Sequence, residues 1–167
     1  RLFGIRGGPS RSVTEEEIAA SLEEGLDAGV IEAQEHQMVR NVFRLDDRQV
    51  GSMMIPRGEI VWLDADATPA DMLVLLGKAR HSRFPVCRGG LDEVVGVASA
   101  QALLRRQMEG APFSLTEGLE AAVFVPETLT GMELLEHFRG AQAQIVFVVD
   151  EYGEVQGMIS VTDLLEA

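Results

Sequence analysis

The stretch "VVDEYGEVQGMISVTDLL", Val148–Leu165, reads as the end of one strand, a tight acidic turn, a second strand and the opening of a helix. The apolar run "IVFVV" and the Gly-containing turn after it are hairpin signals. Ser160, Thr162 and Asp163 fall where the second strand passes into the helix. Short hydroxyls and unpaired N–H groups at such a junction suit an anion. A carboxylate beside them can accept two hydrogen bonds from a ribose diol, as an acid does in dinucleotide folds. The same residues equally suit a plain N-cap, a common duty of Ser and Thr. Both readings stand on the local pattern.

Working outward, the stretch has a second copy upstream. "EIVWLDADATPADMLVLLGKARHSRFPVCRGGLDEVVGVASAQALL" lies on "AVFVPETLTGMELLEHFRGAQAQIVFVVDEYGEVQGMISVTDLL", so that Leu73 falls on Leu135, Val86 on Val148, Gly96 on Gly157 and Ser99 on Ser160. The register slips by one residue inside the turn. Each copy reads strand, helix, strand, turn, strand, helix. In the first, Thr68 caps and Pro69 opens the helix, whose stripe Met72, Leu73, Leu75 and Leu76 is expected to be buried. In the second, Thr130 caps, and Met132, Leu134, Leu135 and Phe138 do the burying. "IVFVV" suits a strand covered on both faces. A unit of roughly 60 residues buries little surface alone. The two copies are therefore expected to pack face to face about a pseudo-two-fold, leaving clefts built from both.

Ahead of the repeats, "TEEEI" forms a capping box, with Thr14 as N-cap, Glu17 three positions on and acids where the helix dipole favours them. Ile18, Leu22 and Leu26 continue on one face. A break at Gly29 leads to a second helix with the stripe Met38, Val39, Val42, Phe43 and Leu45. The organisation read from this is α+β: a flexible segment over 1–13, an acidic helical linker over 14–50, a first repeat over 51–110 and a second over 111–167. The abrupt start and stop suggest a piece of something longer.

Composition narrows the function. The 167 residues carry a formal charge of −13, with 46 % apolar residues. That balance argues against wrapping nucleic acid, which needs clustered cations. Cys87 is the single cysteine, so neither a disulfide framework nor a cysteine metal site is available, and in "FPVC" it reads as a buried structural thiol. His36, His81 and His137 show no metal-ligand spacing. No stretch approaches the roughly 18 apolar residues of a membrane span, and no signal-peptide pattern opens the chain. No nucleophile and base pair is evident, so no enzyme is expected.

The full pattern resembles a tandem pair of CBS domains, regulatory modules of β-α-β-β-α fold. More closely it is similar to the CBS pair of the CorC/HlyC (TlyC, hemolysin-like) and CNNM family of magnesium and cobalt transport proteins. The residues that carry the resemblance are "VTEEEI", "GVIEAQEHQMVRNVFRLDDRQVGSMMIPRGEIVWLD", "HSRFPVCRGGLDEVVGV", "VPETLTGMELLEHFR" and "VVDEYGEVQGMISVTDLLE", together nearly all of residues 13–167. The resemblance implies a regulatory module that binds an adenine nucleotide, AMP, ADP or ATP, with or without magnesium. It also implies a homodimer and a parent protein with a membrane domain, on the cytoplasmic face of a bacterial inner membrane. By the family pattern, Ser160, Thr162 and Asp163 hold phosphate and ribose, Met158 packs on the base, and Ile55, Ile60, His81, Ser82 and Arg83 of the first repeat close the cleft. Arg83 has a plainer alternative as a solvated residue at the start of a strand. Two departures stand out: Ile55 replaces an expected Thr, and Ala102 replaces the first repeat's expected Asp. These departures favour the competing reading, a dimerisation scaffold with empty clefts. Met132, Leu134 and their neighbours are the residues offered for the dimer face.

Overall fold

The computed structural model describes residues 13–79, 81–141 and 143–166. Apart from Val13, the segment expected to be flexible lies outside the described residues. The chain divides into two compact units, one ending at Phe43 and one beginning at Arg44.

The first unit is a pair of helices, α1 (Glu15–Asp27) and α2 (Ala33–Phe43). The Thr14 capping box forms as read. The Glu17 amide donates to Thr14 Oγ1 at 3.2 Å, and the Thr14 amide donates to Glu17 Oε2 at 3.4 Å. Gly29 ends the first helix with φ of 72°, a left-handed conformation that costs Gly little. The stripe on α1 is shallow: Ile18 is exposed, and Leu22 and Leu26 are half-buried.

The second unit carries both repeats. Its elements are β1 (Ile55–Pro56), β2 (Leu63–Asp64), α3 (Pro69–Lys78), β3 (Arg83–Cys87), β4 (Val94–Ser99) and α4 (Ala100–Met108). They continue as β5 (Phe124–Pro126), α5 (Gly131–Ala141), β6 (Ile145–Val149), β7 (Val155–Ser160) and α6 (Val161–Glu166). Each repeat is thus β-α-β-β-α. The order β2-β3-β4 in one sheet is matched by β5-β6-β7 in the other, parallel then antiparallel. Both hairpins shift register at the same place, between Val86 and Cys87 and between Val148 and Val149.

The leading segments cross between the two repeats, which no local pattern foretells. β1, in the leading segment of the first repeat, pairs antiparallel with β7 of the second, Ile55 opposite Met158 and Pro56 opposite Gly157. Glu120, in the leading segment of the second repeat, bridges to Val97 in β4 of the first, with two backbone hydrogen bonds of 2.9 Å. Gly157 and Gly96 make these crossings possible. A Cβ on Gly157 would lie 2.6 Å from the Ile55 carbonyl oxygen, and one on Gly96 would lie 2.9 Å from that of Glu120.

The core follows the repeats. Phe84 and Val86 fill the first sheet, and Val146, Phe147, Val148 and Ile159 the second. One cluster joins the two halves: Ile60, Cys87, Leu91 and Val97 from the first with Ile145, Phe147, Val155 and Met158 from the second. Leu45 and Val50, read in the acidic linker, pack with Leu134 and Phe138 in the core of the second unit. Two expectations need correction. Leu73 is 51 % exposed rather than buried, because α3 turns Met72 inward and leaves Leu73 and Val74 on its outer face. Leu134 has no exposure at all, because it sits on the inner face of α5 within the core, so it cannot form a dimer surface. Cys87 is buried as read, and burial pushes its thiol up to about 11, with the nearby Asp64 carboxylate adding to the rise.

Candidate functional site

The start of α6 is set by two side chains. The Asp163 amide donates to Ser160 Oγ at 3.1 Å, and the Ser160 amide donates back to Asp163 Oδ2 at 3.0 Å. The box is reciprocal, as in the Thr68–Asp71 pair that opens α3. Ser160 is therefore a true cap. The box also aims both polar groups at one spot and leaves the carboxylate with acceptor capacity beyond Oδ2.

That spot is a cleft of about 740 Å³ between the repeats. His81, Ser82 and Arg83 line it from the first repeat; Met158, Ser160, Thr162 and Asp163 line it from the second. Seven of the nine residues singled out in the sequence thus meet in one place. Ile55 and Ile60 do not line it. Both pack into the cluster that holds Met158, Ile55 by strand pairing and Ile60 as a buried side chain.

The cleft also takes Ala143, Gln144 and Ile145, which the sequence reading passed over. The signal was present: Val86 on Val148 places His81, Ser82 and Arg83 on Ala143, Gln144 and Ile145. The repeat therefore puts the same short segment of each copy at one cleft. Glu166, on the last turn of α6, adds a second carboxylate to its lining beside Asp163.

Arg83 brings the cation, and it is held rather than solvated. Its Nε donates to both carboxylate oxygens of Glu120, at 3.1 and 3.2 Å, and Nη1 donates to Gln144 Oε1 at 2.6 Å. Its neighbours span the two repeats. In the first repeat the corresponding cap is thinner: Ser99 Oγ accepts from the Ala102 amide at 3.3 Å, and Ala102 has no carboxylate to return the bond. Neither residue lines this cleft. Among the described residues, no group of His, Cys, Asp or Glu is placed to hold a metal ion, and no helix is long and apolar enough to cross a membrane.

A family model for the CBS domain matches residues 50–109 and again 120–167. The chain belongs to the CBS-domain family. Each match covers one of the two β-α-β-β-α repeats, so the pseudo-symmetric pair is a tandem CBS pair.

Relatives extend over the whole chain. A UPF0053 protein of Synechocystis is 38 % identical across all of it, a polyamine export protein of Haemophilus influenzae 34 % across 99 %, and the inner membrane protein YoaE of Escherichia coli 34 % across 99 %. The chain spans only 37 %, 39 % and 32 % of their respective lengths. The solved CBS domain of a bacterial CNNM/CorC family Mg²⁺ transporter is 33 % identical, with a TM-score of 0.71 over 93 % of this chain and 95 % of that one. The same domain in complex with ATP matches at 33 % identity and TM-score 0.68, over 80 % and 95 %. A CBS pair with bound AMP from Klebsiella pneumoniae is 29 % identical, with TM-score 0.64 over 71 % and 95 %.

Proposed function

We propose that this CBS pair is a non-catalytic regulatory module that binds an adenine nucleotide in the Asp163 cleft. Its parent is a CorC/CNNM-type magnesium and cobalt transport protein with a membrane domain, and the pair works at the cytoplasmic face of a bacterial inner membrane. The observation that carries the reading is the convergence of the Ser160–Asp163 box with Arg83 across a cleft of nucleotide size. The carboxylate suits a ribose diol, the guanidinium a phosphate, and the Met158 side of the cleft the base. ATP and AMP bound to similar CBS pairs support this assignment. Calorimetry with AMP, ATP and ATP plus Mg²⁺ tests it; a chain that takes up none of them is not a nucleotide sensor.

The two caps differ, and stoichiometry follows from that. Ala102 stands where Asp163 stands in the other repeat, so one nucleotide per chain is expected. A titration that resolves two equal sites would refute this.

A second reading, a dimerisation scaffold, has its own support. Val61, Leu73 and Val74 are 43 %, 51 % and 59 % exposed, an apolar surface of the kind a partner covers. We propose a homodimer formed through this surface, the outer face of α3 together with Val61, compatible with nucleotide binding. Light scattering at micromolar concentration should return twice the chain mass; a single-chain mass would sink the proposal.

A further inference from the structure

Arg83 supplies a positive charge to the lining of the cleft, yet its charge is already answered. Glu120 holds its Nε with both carboxylate oxygens, at 3.1 and 3.2 Å. The lining adds two more carboxylates, Asp163 and Glu166. With Glu120 in place, the fixed charge around the cleft is therefore negative on balance. A polyphosphate approaching it meets repulsion and a guanidinium that is engaged elsewhere.

Glu120 is itself fixed from behind. Its backbone is bridged to Val97 by two hydrogen bonds of 2.9 Å, and its carbonyl lies against Gly96. It takes the same structural place against the first repeat that Ile55 takes against the second, the residue of the crossing segment laid over the equivalent glycine, Gly96 or Gly157. Ile55 has no charge to offer there; Glu120 has one and spends it on Arg83. The pair is partly open to water, with side-chain exposures of 22 % for Arg83 and 43 % for Glu120. Ion pairs of that exposure are weak, so a phosphate can displace the carboxylate. The lock is present but yields.

We infer that Glu120 is a charge gate on this cleft: it neutralises Arg83 until a phosphate takes its place, and so sets how strongly the phosphate chain counts toward binding. It acts through Arg83, as a positioning residue. The inference rests on the nucleotide reading above. It predicts that the parent chain gains little affinity from each added phosphate in the absence of a divalent cation. It also predicts that removing the Glu120 charge restores that gain.

The test is calorimetry on this chain and on Glu120→Gln with adenosine, AMP and ATP. Mg²⁺ is left out because it would cancel the charge being read. A released guanidinium that pairs with a phosphate a few ångströms away in a watery cleft is worth roughly fivefold to tenfold. Glu120→Gln should bind ATP about tenfold tighter and AMP about threefold tighter, with adenosine unchanged within about twofold. At about 1 M salt the Debye length falls to about 3 Å and the ATP gain should shrink. In an Arg83→Gln background the same change should gain no more than about twofold for ATP, because no guanidinium is left to release. Unchanged affinities for all three ligands overturn the gate, as does an equal shift for all three, which would mark a merely structural role. A tenfold ATP gain that persists without Arg83 overturns it too, leaving only general repulsion. If neither protein binds any of the three ligands, the nucleotide reading fails and the gate fails with it.

Discussion

Asp163→Ala is expected to cut nucleotide affinity by at least about tenfold. A carboxylate that accepts from both hydroxyls of a ribose diol makes two hydrogen bonds, each worth roughly 1.5–3 kcal/mol when made to a charged group. Even a single such bond exceeds the 1.4 kcal/mol that corresponds to one decade. The structure shows that Asp163 also serves the helix, since Oδ2 accepts the Ser160 amide at 3.0 Å. Removing it therefore also costs about 1 kcal/mol of stability, as lost caps do. Asp163→Asn separates the two roles. Its amide oxygen can still accept from Ser160, while the NH₂ group cannot accept from a ribose hydroxyl. Thermal melts read both effects, because a ligand that binds only the folded state raises its melting point by mass action. In Asp163→Asn the ligand-free melting point should stay near that of the parent, and the nucleotide-induced rise should largely vanish. A full nucleotide-induced rise in either variant would remove the ribose clamp from the proposal.

Gly157→Ala is expected to be the most damaging single methyl in the second unit. The new Cβ would lie 2.6 Å from the Ile55 carbonyl oxygen and 2.7 Å from Met54 Cγ. The carbonyl belongs to backbone paired between β1 and β7, so relief requires the strands to part. Overpacking of this kind costs about 1–3 kcal/mol, which for a unit of this size lowers the melting point by roughly 4–12 °C. Gly77→Ala is the control. Gly77 sits exposed in α3 with nothing within 4 Å of its would-be Cβ. There Ala should be neutral or stabilise by about 0.5–1 kcal/mol, since Gly is costly inside a helix. Equal melting points for the two variants would mean that the crossing of β1 over β7 contributes little.

The repeat, the hairpins and the caps were legible because each rests on neighbours in sequence. Thr14 with Glu17, Thr68 with Asp71, and Ser160 with Asp163 are all three residues apart; the Thr14 box and the caps at Thr68 and Ser160 form as read, and Asp71 and Asp163 return the bond. The apolar strand over Ile145–Val149 announced itself by composition and is buried. Leu73 misled because an apolar residue in a helical stripe looks the same whether it meets the core or an outer face. The crossing segments could not be read at all. Ile55–Pro56 is too short to carry a periodicity, and its partner lies about a hundred residues away. Arg83 was visible as a charge, but its partners Glu120 and Gln144 stand 37 and 61 residues downstream, with no local pattern to join them. Sequence therefore located the cleft better than it described the electrostatics inside it.

The exchange of leading segments also bears on what can be cut from what. Ile55–Pro56 completes the sheet of the other repeat, and Glu120 is stitched into the first. A protease nick in the connection between them, around Ser114–Gly118, would not yield two independent modules. Each fragment would carry off an edge that belongs to its neighbour and leave its own sheet short of one. The indivisible piece of this protein is the pair, held by mutual loan of backbone as much as by the covalent link between the halves.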